Sequence, residues 1–299
     1  MDEFDLIEQI VQALGAASDS ALTRLGPGDD AAVMTVPPGH EVVSSIDTLL
    51  ADVHFPAAAP PRLIGYRAVM VAASDIAAMG AKPFYQLLAL SLPHGDLAWV
   101  REFSRGVAEA AMQCALPVVG GNLSRGGLAI SVSVHGLVPS GGALTRRGAQ
   151  AGDLLQVTGL LGGAAACVRQ QLFDVAHALS PSQECYFRPR ARLDMVDAMA
   201  GVKAAIDISD GLLQDLGHLL KASSHSAPLA AEIASDAMPV HPEAELTDAL
   251  SGGDDYELLI AAATELPGCH TIGQVRPGTG ILLDGKPVTT SGYQHFGPQ

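Results

Sequence analysis

The chain is expected to fold as an α/β (α+β) protein of two mixed domains, residues 1–148 and 149–299. Three observations predict this. Strand-like and helix-like stretches alternate through both halves of the 299 residues. Hydrophobic residues make up 48% and charged ones 16%, against about 25% charged in an average domain, so there is apolar surface for a large core. At about 150 residues per domain the length accommodates two, and the Gly-rich polar stretch SGGALTRRGAQAGD offers a joint near residue 148.

Residues 3–14 set Phe4, Ile7, Ile10, Val11 and Leu14 on one face of a helix. AAVMTV (31–36) and HEVVSSI (40–46) read as strands joined at Pro37-Pro38-Gly39. A helix over 62–79 stops at Gly80, with Pro83 just beyond. FYQLLALSL (84–92) is a strand and 96–114 a helix. In LAISVSVHGLV (128–138), Leu128, Ile130, Val132 and Val134 point one way, which predicts a strand with one buried face. Past the joint, DLLQVTG is a strand, and a helix runs from about Ala164 to Leu179. AAIDIS (204–209) is a strand leading into a helix striped by Leu212, Leu213, Leu216, Leu219 and Leu220. ELLIAAA (257–263) and TIGQV (271–275) are further strands. No internal repeat is visible.

Acidic residues number 32 and basic ones 17, a net charge of −15. That excludes a basic nucleic-acid face. An acidic chain that handles phosphates needs cations between itself and its ligand, although the same charge also serves simply to keep molecules apart. Cys114, Cys167, Cys185 and Cys269 form no CxxC pair and have no His at ligand spacing, which argues against structural zinc and a disulfide framework. MDEFDLIEQI is acidic and amphipathic, unlike a signal peptide. No run of 18 apolar residues is free of charge, Gly or Pro, so no segment is expected to span a membrane. A reducing cytoplasm is the expected compartment.

The carboxylates gather in GPGDDAAV (26–33), SIDTLLADVHF (45–55), ASDIAAMGAKP (73–83) and IDISDGLLQDL (206–216). Asp75 lies in a helix of small apolar residues with no Lys or Arg within a turn. An isolated ionised carboxylate there costs several kcal/mol unless it is paired, hydrogen-bonded, protonated or metal-bound. It reads as a cap on a neighbouring loop or as a metal ligand facing a cleft. Asp29 and Asp30 follow Gly26-Pro27-Gly28, where an Asx-turn competes with a ligand role, less so for Asp30, which enters a strand. Asp207 and Asp210 flank Ser209 at a strand-to-helix junction. Either Ser209 or Asp210 serves as an N-cap, but two Asp exceed what capping requires. An oxygen-rich, Cys-free set suits Mg²⁺ or Ca²⁺, and no EF-hand spacing is present. Mg²⁺ takes one or two carboxylates plus substrate phosphates, which favours an ATP-type site.

There is no GxxxxGK[ST] and no VAIK/HRD/DFG set. VVGGNLSRGG (118–127) reads as a strand followed by a Gly turn with Asn122 and Arg125. TGLLGGAAA (158–166) sets either an anion at a helix N-terminus or close helix packing. Arg146 and Arg147 meet a nucleotide or line a solvated joint.

Taken in order, GDDAAV (28–33), SIDTLLADVHF (45–55), SDIAAMGA (74–81), GGNLSRG (120–126), ALTRRGA (143–149), IDISDGLLQDLGH (206–218), SGGDDYEL (251–258) and GYQHF (292–296) resemble the thiamine-monophosphate kinase family, within the wider aminoimidazole-ribonucleotide-synthetase-like ATP enzymes. The resemblance runs nearly end to end. It implies two α/β domains, with the N-terminal sheets of a homodimer packed into a barrel-like interface. It implies transfer of the ATP γ-phosphate to thiamine monophosphate across several Mg²⁺ ions, with K⁺ a further candidate ion. By position, Asp30, Ser45, Asp47, Asp75, Asp207 and Asp210 would be the metal ligands, with Ile46 acting through its carbonyl and Asn122 offering one oxygen. Gly121, Asn122, Arg146 and Ser209 would contact ATP. His54, Asp254 and Tyr293 would contact the thiamine phosphate. No residue is assigned as general base.

Two positions depart from the family pattern. Gly120-Gly121-Asn122 stands where GGD is usual, which lowers the charge on one metal. Gly252-Gly253-Asp254-Asp255 stands where GGED is frequent, which shortens one carboxylate by a carbon and favours a water bridge. A related ATP-dependent synthetase and a weakened Mg²⁺- and nucleotide-binding protein are the alternative readings.

Overall fold

The structure is a computed structural model that describes residues 3–175, 178–225, 227–289 and 292–293. It divides into two compact units. The first comprises Met1–Ile76, Ala81–Ala143 and Phe173–His177, the second Ala77–Gly80, Leu144–Leu172 and Ala178–Gln299.

The first unit runs α1 (Glu3–Leu14), β1 (Thr23–Leu25), β2 (Val33–Met34), β3 (His40–Leu50), α2 (Pro61–Ala78), β4 (Lys82–Leu92), α3 (Leu97–Cys114), β5 (Val118–Arg125) and β6 (Ala129–Pro139). Its main sheet has the order β3-β6-β4-β5. β6 is antiparallel to both neighbours, and β4 and β5 are parallel, joined by α3 as the crossover. Along β3 the alternation puts Val43, Ser45, Asp47 and Leu49 on the buried side and Ser44, Ile46, Thr48 and Leu50 on the other. Ile130, Val132 and Val134 of β6 are fully buried, as their alternation predicts. α2 has no polar stripe. Ala68, Val69, Ala72, Ala73, Ile76 and Ala77 are all at 0% exposure, the pattern of a helix enclosed on every side. Asp96 starts α3 by accepting from the Ala98 and Trp99 amides.

The second unit runs β7 (Leu154–Thr158), α4 (Gly163–Arg169), α5 (Pro181–Phe187), β8 (Val202–Asp207), α6 (Leu212–Ser223), β9 (Leu229–Ile233), α7 (Leu246–Ser251), β10 (Leu258–Ala262), β11 (Cys269–Pro277), β12 (Gly280–Leu283) and β13 (Lys286–Val288). Its seven-stranded sheet has the order β13-β12-β9-β11-β7-β10-β8. Only β12 with β9 is parallel. The leucine stripe of α6 packs in one core with Leu155, Val157, Ile206, Leu259 and Ile272.

Several expected elements shift. The strand expected at 31–36 is only Val33–Met34, so Asp30 sits in an exposed bend before it. β3 runs on to Leu50 because it pairs with β6 residue for residue to Ala129. The helix expected over 164–179 stops at Arg169. A new helix begins at Pro181 behind a Ser180–Gln183 capping box, since Pro fits the first turn and interrupts an interior; residues 176–177 of that stretch lie outside the described residues. The expected Gly turn at 120–121 is strand instead. A Cβ on Gly121 would come within 1.9 Å of the Leu88 carbonyl oxygen, so glycine there lets β5 approach β4. The short strands β1, β9, β12 and β13 carry too little periodicity to be anticipated.

Candidate functional site

In the first unit, Ser45 and Asp47 share the buried side of β3. The Ser45 hydroxyl donates to Asp75 Oδ2 on α2. Asp75 therefore has a partner across the sheet-to-helix interface, which the loop-capping reading did not foresee. Burial, and then the charge of Asp75, push the Asp47 carboxyl up to about 6. The two carboxylates stand close enough for the charge of one to act on the other, and the Ser45 hydroxyl bonds one of them.

Asp30, Ile46, Gly121 and Asn122 lie elsewhere in that unit. They line a groove of about 1340 Å³ along the open side of the sheet, shared with Asp29, Tyr85, Leu87, Ser131 and residues of α1. Asp29 Oδ1 accepts from the Asp30 amide, a local turn contact that fits the structural reading of Asp29. Ile46 is 64% exposed. His54 Nδ1 accepts from the Leu50 amide, which puts the hydrogen of the neutral ring on Nε2.

In the second unit, β8 delivers Asp207, 5% exposed, to the turn before α6. Neither Ser209 nor Asp210 caps that helix. Its N-cap is Gly211, at φ 122° and ψ 144°, with no side-chain cap bond. The work falls to Asp215 inside the first turn, whose Oδ2 accepts from the Asp210 and Gly211 amides at 3.1 Å each. Burial, and then the charge of Asp210, raise Asp215 to about 7, while Arg146 acts in the opposite sense. Arg146 therefore acts electrostatically on this cluster. The Asp254 amide donates to Ser209 O at 2.9 Å, and the Tyr293 amide to Asp210 O at 3.0 Å. Tyr256 donates its hydroxyl to Asp254 Oδ1 at 2.7 Å. Thus Ser209, Asp210, Asp254 and Tyr293, dispersed over 85 residues, meet at one turn. Asp215, Gln214 and Tyr256, which hold them, fall inside IDISDGLLQDL and SGGDDYEL, but sequence reasoning gave them no role. Of GYQHF, residues 294–296 lie outside the described residues.

The TGLLGG segment is committed to packing. The Gly162 amide donates to Asp255 Oδ1 at 2.8 Å, and α4 has only seven residues. Asp255 is enclosed, and its carboxyl is raised well above the usual carboxylate range, first by burial. Among the described residues no group of three or more His, Cys, Asp or Glu is disposed to hold a metal ion by itself. The predicted ligands instead form the Asp47–Asp75 pair and the Asp207–Asp210 turn. The donor atoms in each are all oxygen, and a cation beside Asp47 and Asp75 would offset their repulsion, so each taken by itself has the chemistry that suits Mg²⁺ completed by water and phosphate oxygens.

Residues 28–138 match the family described as AIR synthase related protein, N-terminal domain. The chain is 38% identical to the thiamine-monophosphate kinase of Escherichia coli K12 over 98% of each chain. It is 34% identical to that of Haemophilus influenzae over 99% of this chain and 98% of the other. Among solved structures, thiamine-monophosphate kinase from Stenotrophomonas maltophilia K279a superposes with a TM-score of 0.85 at 34% identity, covering 96% of this chain and 98% of that one. AaThiL complexed with AMPPCP and TMP gives 0.80 at 31%, covering 98% and 97%. E. coli HypE, at 21% identity and a TM-score of 0.78, shares the fold.

Proposed function

The chain belongs to the thiamine-monophosphate kinase family, and from that premise we propose that it transfers the γ-phosphate of ATP to thiamine monophosphate, giving thiamine diphosphate and ADP. The observation that carries this reading is likeness at 34–38% identity over virtually the whole chain to kinases of that name. The complex of AaThiL with AMPPCP and TMP supports the same pair of substrates.

The acceptor is a phosphate monoester with a second pKa of about 6, so near neutrality it is mostly dianionic and needs no base to become a nucleophile. The barrier is the approach of one anion to another. Direct in-line transfer then depends on positioning and charge neutralisation. Asp30, Ser45, the Ile46 carbonyl, Asp47, Asp75, Asn122, Asp207 and Asp210 are the residues that would hold Mg²⁺. When bound, the ions supply the positive charge that screens the two phosphate groups from each other. Gly121, Asn122, Arg146 and Ser209 orient the nucleotide, and His54, Asp254 and Tyr293 orient the thiamine phosphate. The halves 1–148 and 149–299 act as the metal- and ATP-binding half and the half that completes the site. The reaction belongs to the cytoplasm.

A homodimer completes the proposal. Ile46, Ser133 and Leu87 form one cross-strand row on the open side of the sheet. Ile46 is 64% exposed, and Val42, Leu50 and Leu87 are between 37% and 41%. A second copy laid sheet to sheet would cover this face in the barrel-like manner of the family. Leu87→Glu is expected to convert a dimer to a monomer in analytical ultracentrifugation, and an unchanged dimer would exclude this face.

The reading is tested by incubating the protein with ATP, Mg²⁺ and thiamine monophosphate and measuring thiamine diphosphate and ADP. Equal amounts of both are expected, with Asn122→Asp lowering the Mg²⁺ concentration needed for half-maximal rate. ADP release only with an amide-type acceptor would point to a synthetase. ATP binding without turnover would point to a binding protein.

A further inference from the structure

We propose that Gln214 is a positioning residue that ties the substrate-side Tyr293 to the metal-side Asp210 through the two hydrogens of a single amide. The assignment rests on the roles proposed above for those two residues. Gln214 Nε2 donates to Asp210 Oδ2 and to the Tyr293 carbonyl, each at 2.9 Å. The strap that carries Tyr293 is bonded back in turn, its amide donating to Asp210 O at 3.0 Å. The fit is close. A Cβ on Gly292 would lie 2.6 Å from Asp210 O and 2.8 Å from Gln214 Cβ, so only glycine allows the strap to pass here.

The chemistry of the side chain matters as much as its reach. A primary amide has two N–H groups and no charge. It fixes one oxygen of Asp210 without neutralising the carboxylate, so the other oxygen keeps its full attraction for a cation. A Lys or Arg at this position would compete with that cation. A Glu would set two acceptors against a carboxylate and a carbonyl. Gln214 sits one residue before Asp215, which accepts from the Asp210 amide. The backbone N–H, the backbone C=O and one carboxylate oxygen of Asp210 are thus all committed, two of them to consecutive residues of α6. Tyr293 is bonded to Asp210 through its amide and to Gln214 through its carbonyl, so an event that orders Asp210 also orders Tyr293, and the coupling is reciprocal.

Gln214 is only half-buried, so Gln214→Met, which keeps the length, volume and helix propensity but has no donor, separates the bonds from the packing. Two measurements apply. Amide exchange of the C-terminal peptide containing Tyr293, in the ligand-free protein, is expected to quicken roughly tenfold, the loss of one hydrogen bond to a charged or backbone acceptor. In steady-state assays the KM for thiamine monophosphate is expected to rise roughly tenfold, with the KM for ATP and the thermal midpoint unchanged. Gln214→Glu is expected to exceed the Met variant in both readouts. Unchanged exchange overturns the tether. Quickened exchange with a wild-type KM for thiamine monophosphate overturns its part in holding substrate. A wild-type protein that makes no thiamine diphosphate refutes the proposed function, and the exchange measurement alone then decides the tether.

Discussion

The two aspartate clusters are held in opposite ways. Asp47 and Asp75 stand on regular elements, a strand and an enclosed helix, which set them close together and offer one hydroxyl between them. Asp210 stands on a turn, residues 209–211, whose backbone is bonded to the Asp215 side chain and to the amides of Asp254 and Tyr293. In the first, regular elements supply the scaffold, and burial together with the neighbouring charge raises the Asp47 carboxyl. In the second, the scaffold itself has to be assembled from distant segments. The difference teaches that charge changes should act on chemistry in the first cluster, whereas backbone changes should act on stability in the second.

The largest effect tests the first half of that contrast. Asp75→Asn is expected to lower turnover by about 10²–10³-fold, the scale of removing one preorganised electrostatic group. The thermal midpoint without divalent cation should hold or rise, because the charge that raises Asp47 is gone. Turnover at wild-type level under saturating Mg²⁺ would remove Asp75 from the site.

Next in size is Gly211→Ala, which tests the second half. Gly211 occupies φ 122°, and an added Cβ would lie 2.9 Å from Ser251 O and 3.0 Å from Gly252 O. Strain of about 1–3 kcal/mol is expected, read as a lower midpoint in urea unfolding. An unchanged midpoint would mean the turn is softer than its bonding implies.

Smallest is Asp255→Asn, which sharpens the comparison with a carboxylate in the second unit that no cation is proposed to relieve. Burial raises the Asp255 carboxyl well above its unfolded value. Its contribution to stability is therefore complete below the unfolded pKa of 3.8 and is lost as pH rises through the folded one. Asn keeps the acceptor for the Gly162 amide and cannot ionise. The variant's thermal midpoint should exceed wild type at pH 8, with the gap closing as pH falls toward 4. A constant gap across that range would assign the effect to packing.

Much of the fold was legible because its signals are local. The alternation in β6 and the leucine stripe of α6 state which face is buried, whatever the partner is. The stop of α4 was missed because the chain turns left-handed at Gln171, φ 53°, with no glycine or proline there to announce it. The Gly120-Gly121 pair was mistaken for a turn because glycine marks both a bend and a close approach, and only the position of the Leu88 carbonyl distinguishes them.

The sequence by itself determined the mixed α/β character and the residues that carry charge, since these are written along the chain, and its motifs carried the resemblance to the family. Only the tertiary structure decided who holds them. Ser45 reaches Asp75 from 30 residues away, and Gln214 reaches Tyr293 from 79. Such pairs are set by sheet register and by the few ångströms between packed backbones, and neither quantity has a period that a linear reading can detect.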